Sequence, residues 1–474
     1  MERLHPSRLD ALPDAVVRPR YDRAALSTGI VHLGVGAFQR AHMAAATDAA
    51  MATSGDLRWG IVGVSLRSPD TRDALAPQQG LYTLALRDAD EHGAARERLQ
   101  LIGCLTEVLV APEDQGAVHD RIAAESTRIV SLTVTEKGYL DTAPGSTLDV
   151  LARALALRRS RGAGGVTLLS LDNLPSNGAV LRERLLSHVR GSDAALADWI
   201  ETHCTFPCSM VDRIVPRTTE ADRQRISAQL GLEDAWPVVA EPFFDWVVED
   251  RFAAGRPAWQ HGGARFVADA KPFEALKLRM VNGAHSALAY LGAMAGWRTV
   301  DRALAVPAMQ HYLDTMMRDE IAPTLPALPG LDLENYRARL LQRFANPALQ
   351  HQTHQIAMDG SQKLPQRLLG TVRDRTEAGR SYDRVALAIA GWIHYLSGAD
   401  ETGATHEIVD PLSAALTERL GPLARSVHDG VAHIVAFEPV FGDLGRDVRF
   451  ITAVARHLVS LRQRGVLATL TAQP

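Results

Sequence analysis

Only three cysteines occur in the 474 residues, Cys104, Cys204 and Cys208. So sparse and odd a set excludes a disulfide framework and fits a reducing compartment, and a cytoplasmic location is expected. Cys204 and Cys208 lie close in sequence, but no second Cys or His pair stands near to complete a tetrahedral zinc site. That absence disfavours a zinc-dependent alcohol dehydrogenase. Long apolar runs are missing too. None reaches the roughly 18 residues a membrane span requires, and the longest candidate, 385–396, reads as a buried helix. Residues 1–22 mix Arg and Pro without an apolar centre, unlike a secretory signal. Charge of one sign is scarce as well: 51 Lys and Arg face 55 Asp and Glu, for a formal net charge of −4. This balance gives no electrostatic reason to expect nucleic acid or an anionic membrane as partner.

What is present is a globular composition, 46% hydrophobic and 22% charged. The length suggests two or three domains, with no internal repeat or low-complexity tract. The first half alternates short β-branched runs (Ile30-Val31-His32-Leu33, then 59–64, 128–134 and 166–171) with helical patterns such as 41–51 and 148–159. Such alternation predicts βαβ units and a mainly parallel sheet. From about residue 273 the texture changes. Periodic apolar segments over 275–295, 301–318, 336–344, 383–397, 411–423 and 448–463 read as helices, with a turn cluster over 326–330.

Leu33-Gly34-Val35-Gly36-Ala37-Phe38-Gln39-Arg40 follows the first apolar run and opens a helical pattern. That is the context in which a dinucleotide pyrophosphate binds. Gly34 permits a tight turn, Gly36 lets backbone approach phosphate, and the helix start at Ala37 and Phe38 offers N–H groups. The third glycine of the usual fingerprint is missing, since Gln39 holds its place. A plain strand-to-helix turn would use the same glycines, but the βαβ pattern around it favours the nucleotide. The acid that usually meets the adenosine ribose is also absent from its place: Ser65-Leu66-Arg67-Ser68-Pro69-Asp70 follows the second strand. Asp70 would favour NAD, Arg67 would favour NADP, and both could be solvated turn residues. The expected architecture is an α/β Rossmann-like N-terminal domain over 1–270 with a mainly parallel sheet, then a mostly α-helical C-terminal domain over 271–474. The active site is expected in the cleft between them.

The segment 273–286 carries the most chemistry. Read as an α-helix, it puts Lys277, Met280, Val281, Ala284, His285 and Leu288 on one face. Burying Lys and His among apolar residues is costly unless they are paired or used. Burial disfavours an ammonium, so such a lysine could take up a proton near neutrality. Glu274, three residues earlier, could hold that proton or pass it to water. The structural alternatives are a snorkelling lysine and a satisfied core histidine. Asn173 follows the fourth expected strand, where side chains face the ligand crevice and an amide could stabilise an alkoxide. Its neighbour Asn177 suits a helix cap or Asx-turn better. Asp212-Arg213 lies inside an apolar run and could be a structural ion pair.

These residues together resemble the mannitol dehydrogenase family of polyol-specific long-chain dehydrogenases. The resemblance covers almost the whole chain: Gly34 and Gly36 with Phe38, Arg40, Ala41 and His42, then 78–84, 133–139, Asp172-Asn173, 209–214 and 277–290. Lys277, Asn282 and His285, spaced Lys-x4-Asn-x2-His, carry its most specific signature. The stretches 131–139 and 355–367 are similar to the sugar-acid branch, and Gln355 stands where the mannitol enzymes have Arg. The resemblance implies NAD as cofactor and metal-free hydride transfer between D-mannonate and D-fructuronate, with mannitol or D-arabinitol oxidation as the alternative. Lys277 would be the general base. Asn173 and Asn282 would hold the reacting oxygen, His285 a neighbouring hydroxyl, and Asp212, Lys363 and Gln355 would line the substrate pocket. Glu274 would connect Lys277 with solvent, and Gly34, Gly36, Ala37, Phe38, Arg40 and Asp70 would hold the cofactor. The partner expected is a small sugar acid or polyol, the assembly a monomer or small homo-oligomer. A non-enzymatic NADH sensor would explain the glycine turn, but not the polar residues on an apolar helix.

Overall fold

The computed structural model describes residues 1–89, 95–328 and 331–473, so Pro329 and Gly330 of the expected turn lie outside the described residues. The chain divides into two compact units, Met1–Glu274 and Ala275–Pro474.

Among the described residues the first unit has eleven strands, β1 (Thr28–Leu33), β2 (Gly60–Ser65), β3 (Tyr82–Ala89), β4 (Ala95–Ile102), β5 (Leu105–Val110), β6 (Ile129–Leu132), β7 (Thr167–Ser170), β8 (Ser209–Asp212), β9 (Val238–Ala240), β10 (Asp245–Glu249) and β11 (Ala264–Val267). Five of them form an all-parallel sheet in the order β5-β2-β1-β6-β7. Four of its strands, β1, β2, β6 and β7, are buried on both faces, which is why they read as near-continuous apolar runs. The pleat sends alternate residues to opposite faces. Ile30, Ile61, Ile129 and Leu169 join one hydrophobic cluster, while Val31, Leu33, Val64, Val130, Leu132 and Leu168 join another. Each such side chain contributes roughly 1.5–3 kcal/mol on burial.

His32 interrupts the apolar run of β1 and is fully buried. Its Nδ1 lies 2.8 Å from Ser131 Oγ and its Nε2 2.9 Å from Thr133 Oγ1, across to β6 and the turn after it. The Thr133 hydroxyl spends its proton on Gly34 O, 2.6 Å away. Thr133 Oγ1 must therefore accept from the ring, so Nε2 carries the hydrogen and Nδ1 accepts from Ser131. Burial pushes the imidazole down to about 3, and it stays neutral. A polar residue in the strand thus ties the glycine turn to the neighbouring strand.

Sequence periodicity marked four of the five parallel strands but not β5, nor the two smaller sheets, β11-β10-β8 and β4-β3-β9. β4 (ARERLQLI) mixes exposed charge with buried Leu and Ile, and β8 and β9 are too short for a pattern to emerge.

The second unit is helical. The buried helix expected near 385–396 is Asp383–Tyr395, fully buried from Val385 to Ile393. No helix among the described residues is long and apolar enough to cross a membrane. The single helix expected over 301–318 is three pieces: Val300–Leu304, Pro307–Thr315 and a π-helical turn, Met316–Ile321. Pro307 starts the second piece, where its missing N–H costs nothing. Two more π-helical turns, Lys277–Asn282 and Pro365–Leu369, pack on one another. At their contact a Cβ on Gly283 would lie 2.9 Å from Arg367 O, so only glycine allows the approach.

Candidate active site

Within the first unit, a groove of about 680 Å3 opens where β1, β2 and β6 end. Strand order reverses between β1 and β6, and such a reversal is where open parallel sheets bind ligands. Gly34, Gly36, Arg67, Thr135 and Lys137 are among its lining residues. Gly34 has φ +92°, and a Cβ there would sit 2.1 Å from Thr133 O. Glycine is obligatory on both counts. Gly36 differs: its φ is −101°, and an added Cβ would meet nothing nearer than Gly34 O at 3.8 Å. The fold does not demand glycine there, and the open backbone at the start of helix Ala37–Ala41 leaves the room a pyrophosphate needs. The groove fits a dinucleotide.

Two residues expected on the cofactor, Arg40 and Asp70, have protein partners. Arg40 is buried, its guanidinium donates to Trp236 O, and it lies over the Tyr82 ring. Its side chain is held in the core and is not among the residues that line the groove. Asp70 opens helix Asp70–Leu75 and accepts from Ser68 Oγ at 2.9 Å, while Arg67 lines the groove. Phe38 packs its ring 4.0 Å from that of His42, so only its backbone N–H remains for a phosphate.

Asn173 is exposed in the bend directly after β7. Asp172 beside it accepts from the N–H groups of Val134 and Thr135 and from the Tyr139 hydroxyl, at 2.7–3.1 Å. Thr135 has φ +62°, a strained conformation for a β-branched residue. The three bonds to Asp172 hold that strained turn at the groove. Asn177 is not a cap. Buried within helix Asn177–Arg190, it donates to the carbonyls of Ser170, Asp172 and Ser209 and accepts from Ser209 N–H, tying β7 to β8. Asp212 is buried at the end of β8, and Arg213 donates to the carbonyls of Ala41, Pro242 and Phe243.

Glu274 accepts from Ser176 N–H at 2.8 Å through one oxygen, and its other oxygen is buried without a partner. Burial pushes this carboxyl up to about 7, against the Ser176 bond and with help from the charges of Glu249 and Asp269. Between the ordinary carboxylate value of about 4.5 and about 7 the folded chain holds the extra proton. The stability this group contributes is complete below that window and is lost as pH rises through it. Glu274→Gln is therefore expected to melt close to wild type at pH 4.5 and to exceed it at pH 8, by about 2–3 kcal/mol. Parallel melting curves across that pH range would show an ordinary carboxylate.

In the second unit, Lys277, Asn282 and His285 do not lie on one α-helical face. Five residues apart on an α-helix means about 140° of rotation. The π-turn over Lys277–Asn282 instead closes i→i+5 bonds, as from Gly283 N–H to Leu278 O, so its side chains do not follow the α-helical phase. Lys277 is 5% and Asn282 8% exposed. Asn282 Nδ2 and His285 Nε2 are buried with no hydrogen-bond partner. A buried polar atom left unsatisfied costs roughly 1–3 kcal/mol, and such atoms are where a ligand is expected. His285 stacks on Phe344 at 4.6 Å and meets the edge of His351 at 5.1 Å. Burial, His351, Arg367, Arg343 and Lys363 together push its pKa well down, so it is neutral. Lys363 donates to the carbonyls of Ile356 and Met358, next to Gln355 on helix Thr353–Ala357. Sequence reasoning missed His351, Phe344, Arg343 and Arg367, which no local pattern links to His285. Arg367 did stand at the end of the stretch that carries the resemblance.

A parallel nucleotide-binding sheet with a Gly-x-Gly turn, followed by a helical unit with a buried lysine, defines a Rossmann-type oxidoreductase. The chain belongs to the mannitol dehydrogenase family: residues 28–261 match the mannitol dehydrogenase Rossmann domain and 269–462 the mannitol dehydrogenase C-terminal domain. It is 42% identical to the D-mannonate oxidoreductase of Escherichia coli (strain K12), over 95% of this chain and 96% of that protein. It is 35% identical to mannitol dehydrogenase 2 of Saccharomyces cerevisiae, over 98% and 96%. Among solved structures, the Pseudomonas fluorescens mannitol 2-dehydrogenase ternary complex with NAD and D-mannitol superposes with a TM-score of 0.93. Its identity is 37%, and 99% of each chain is covered.

Proposed function

We propose that this protein interconverts D-mannonate and D-fructuronate with NAD, by hydride transfer that uses no metal and a lysine general acid/base. The observation that carries the chemistry is the buried π-turn that holds Lys277 and Asn282, with Asn282 Nδ2 and, on the helix that follows, His285 Nε2 buried without hydrogen-bond partners. The substrate assignment is supported by the 42% identity to a D-mannonate oxidoreductase. Bound at the glycine turn, NAD supplies the hydride acceptor. Lys277 takes the proton from the substrate hydroxyl, and returns it in the reverse direction. The amides of Asn173 and Asn282 donate to that oxygen as it gains charge. Neutral His285 holds a neighbouring hydroxyl, and Asp212, Lys363 and Gln355 line the pocket. Glu274, poised near neutrality, passes the lysine's proton to water. Mannitol or D-arabinitol oxidation is the second reading, favoured by the likeness to mannitol dehydrogenases.

The test is NADH and NADPH oxidation by chelator-treated enzyme against D-fructuronate, D-tagaturonate, D-fructose and D-xylulose. Rapid NADH oxidation with D-fructuronate, unaffected by the chelator, is the expected result. Preference for D-fructose or D-xylulose would move the activity to polyol oxidation. Activity restored only by added zinc would overturn the metal-free mechanism.

A further inference from the structure

Two rings from one short stretch of the second unit close on the His285 imidazole. Phe344 ends the amphipathic helix Leu333–Phe344, in which Leu340, Leu341 and Phe344 are buried. Leu340 and Phe344, four apart, share the inward face. Phe344 lays its ring on that of His285, with centroids 4.6 Å apart and planes 22° apart. The chain then turns back over 345–350, and His351 meets the same imidazole edge-on, at 5.1 Å and 69°.

The turn that delivers His351 is strained. Gln350, directly before it, has φ +46°, in the left-handed region that residues other than glycine disfavour. Such strain persists only where the surroundings fix it, and it gathers at functional sites. Here His351 O accepts from Val300 N–H at 3.0 Å, and Thr299 and Gln352 form an antiparallel bridge.

An imidazole turns readily about χ2. A histidine that must present one nitrogen is commonly held through a hydrogen bond at the other. His285 Nε2 has no such partner among the described residues. Contacts with rings take that place: Phe344 sets the tilt of the plane, and His351 blocks its swing. Burial pushes His351 down to about 4 and His285 well down, so both rings are neutral and no charge repulsion opposes the contact.

We propose that Phe344 and His351 are positioning residues, which hold the His285 imidazole by its face and from one side in the orientation that meets the substrate hydroxyl. This inference rests on the role given to His285 above and adds the residues that set its geometry. The experiment measures kcat and KM of the NADH-loaded enzyme with the substrate it reduces fastest. The variants are Phe344→Leu, His351→Leu, His351→Phe and His285→Ala, and His285→Ala combined with each leucine change. Each single leucine variant is expected to lower kcat/KM about twofold to tenfold, the size of one ring pair. The loss should fall mainly on KM, because the hydroxyl is held alike in the bound and reacting states. His351→Phe, which keeps a ring edge, should recover most of it. In the His285→Ala background the leucine changes should add no further loss, since no ring is left to hold.

Losses that multiply in that background would overturn the positioning role while the function stands. So would a lowered melting temperature with unchanged kcat/KM, or a His351→Phe as impaired as His351→Leu. An unchanged kcat/KM in His285→Ala would overturn the reading of His285 itself. Should Phe344→Leu fold poorly, the His351 variants and their cycle with His285→Ala decide.

Discussion

Lys277→Ala is expected to lower kcat by about 10³–10⁴-fold, with NADH binding within about threefold of wild type. General acid–base catalysis contributes roughly 10²–10⁴-fold, and a carbinol carbon that gives up hydride at neutral pH while its hydroxyl loses a proton needs the upper part of that range. The alternative for a lysine in this position is structural, since it is 5% exposed on a buried turn. The two roles separate cleanly. A structural lysine would cost stability and leave turnover in proportion to folded protein. A catalytic one would cost turnover in a protein that melts normally and still quenches on binding NADH. Single-turnover hydride transfer with saturating substrate and pre-bound cofactor gives the decisive rate. Near-normal transfer in the variant would sink the assignment.

Asn282→Ala is expected to lower kcat by about 10²–10³-fold, the loss typical of removing one donor to a developing oxyanion. Its effect on stability should have the opposite sign. Asn282 Nδ2 is buried without a partner, so the amide already costs the folded state free energy. Its removal is expected to leave the melting temperature unchanged or slightly higher. Stability and activity moving apart is the behaviour of a group retained for substrate. A drop of several degrees together with the loss of kcat would instead point to support of the π-turn. The same pair of measurements on Asn173→Ala makes a comparison at an exposed amide.

Local pattern was sufficient where local physics decides. Gly34 was legible because a tight turn after a buried strand needs φ above zero, and its φ is +92°. The run of 30–33 signalled a strand buried on both faces, and β1 is one. Periodicity left Asn282 off the face of Lys277 because it assumes 3.6 residues per turn. The π-turn inserts an extra residue, and helix packing at Gly283 against Arg367 O accompanies it. Arg40 was placed on the cofactor by the resemblance alone, and its bond to Trp236 O, 196 residues away, leaves no local trace.

The sequence by itself determined the parallel sheet, the glycine turn, the helical character of the second half and the family signature Lys277, Asn282 and His285. These follow from hydrophobic period, turn chemistry and residue spacing, all written within a few residues of one another. The tertiary structure alone decided that Arg67 and Lys137 line the groove, and that Asp172 holds Thr135 in its strained turn. It alone gathered Phe344, His351, Arg343 and Arg367 around His285. Those partners are 58 to 82 residues from His285 along the chain (344 − 285 = 59 for Phe344, 343 − 285 = 58 for Arg343, 367 − 285 = 82 for Arg367). Contacts at that separation arise from how helices pack, and packing leaves no periodic trace in the residues it brings together.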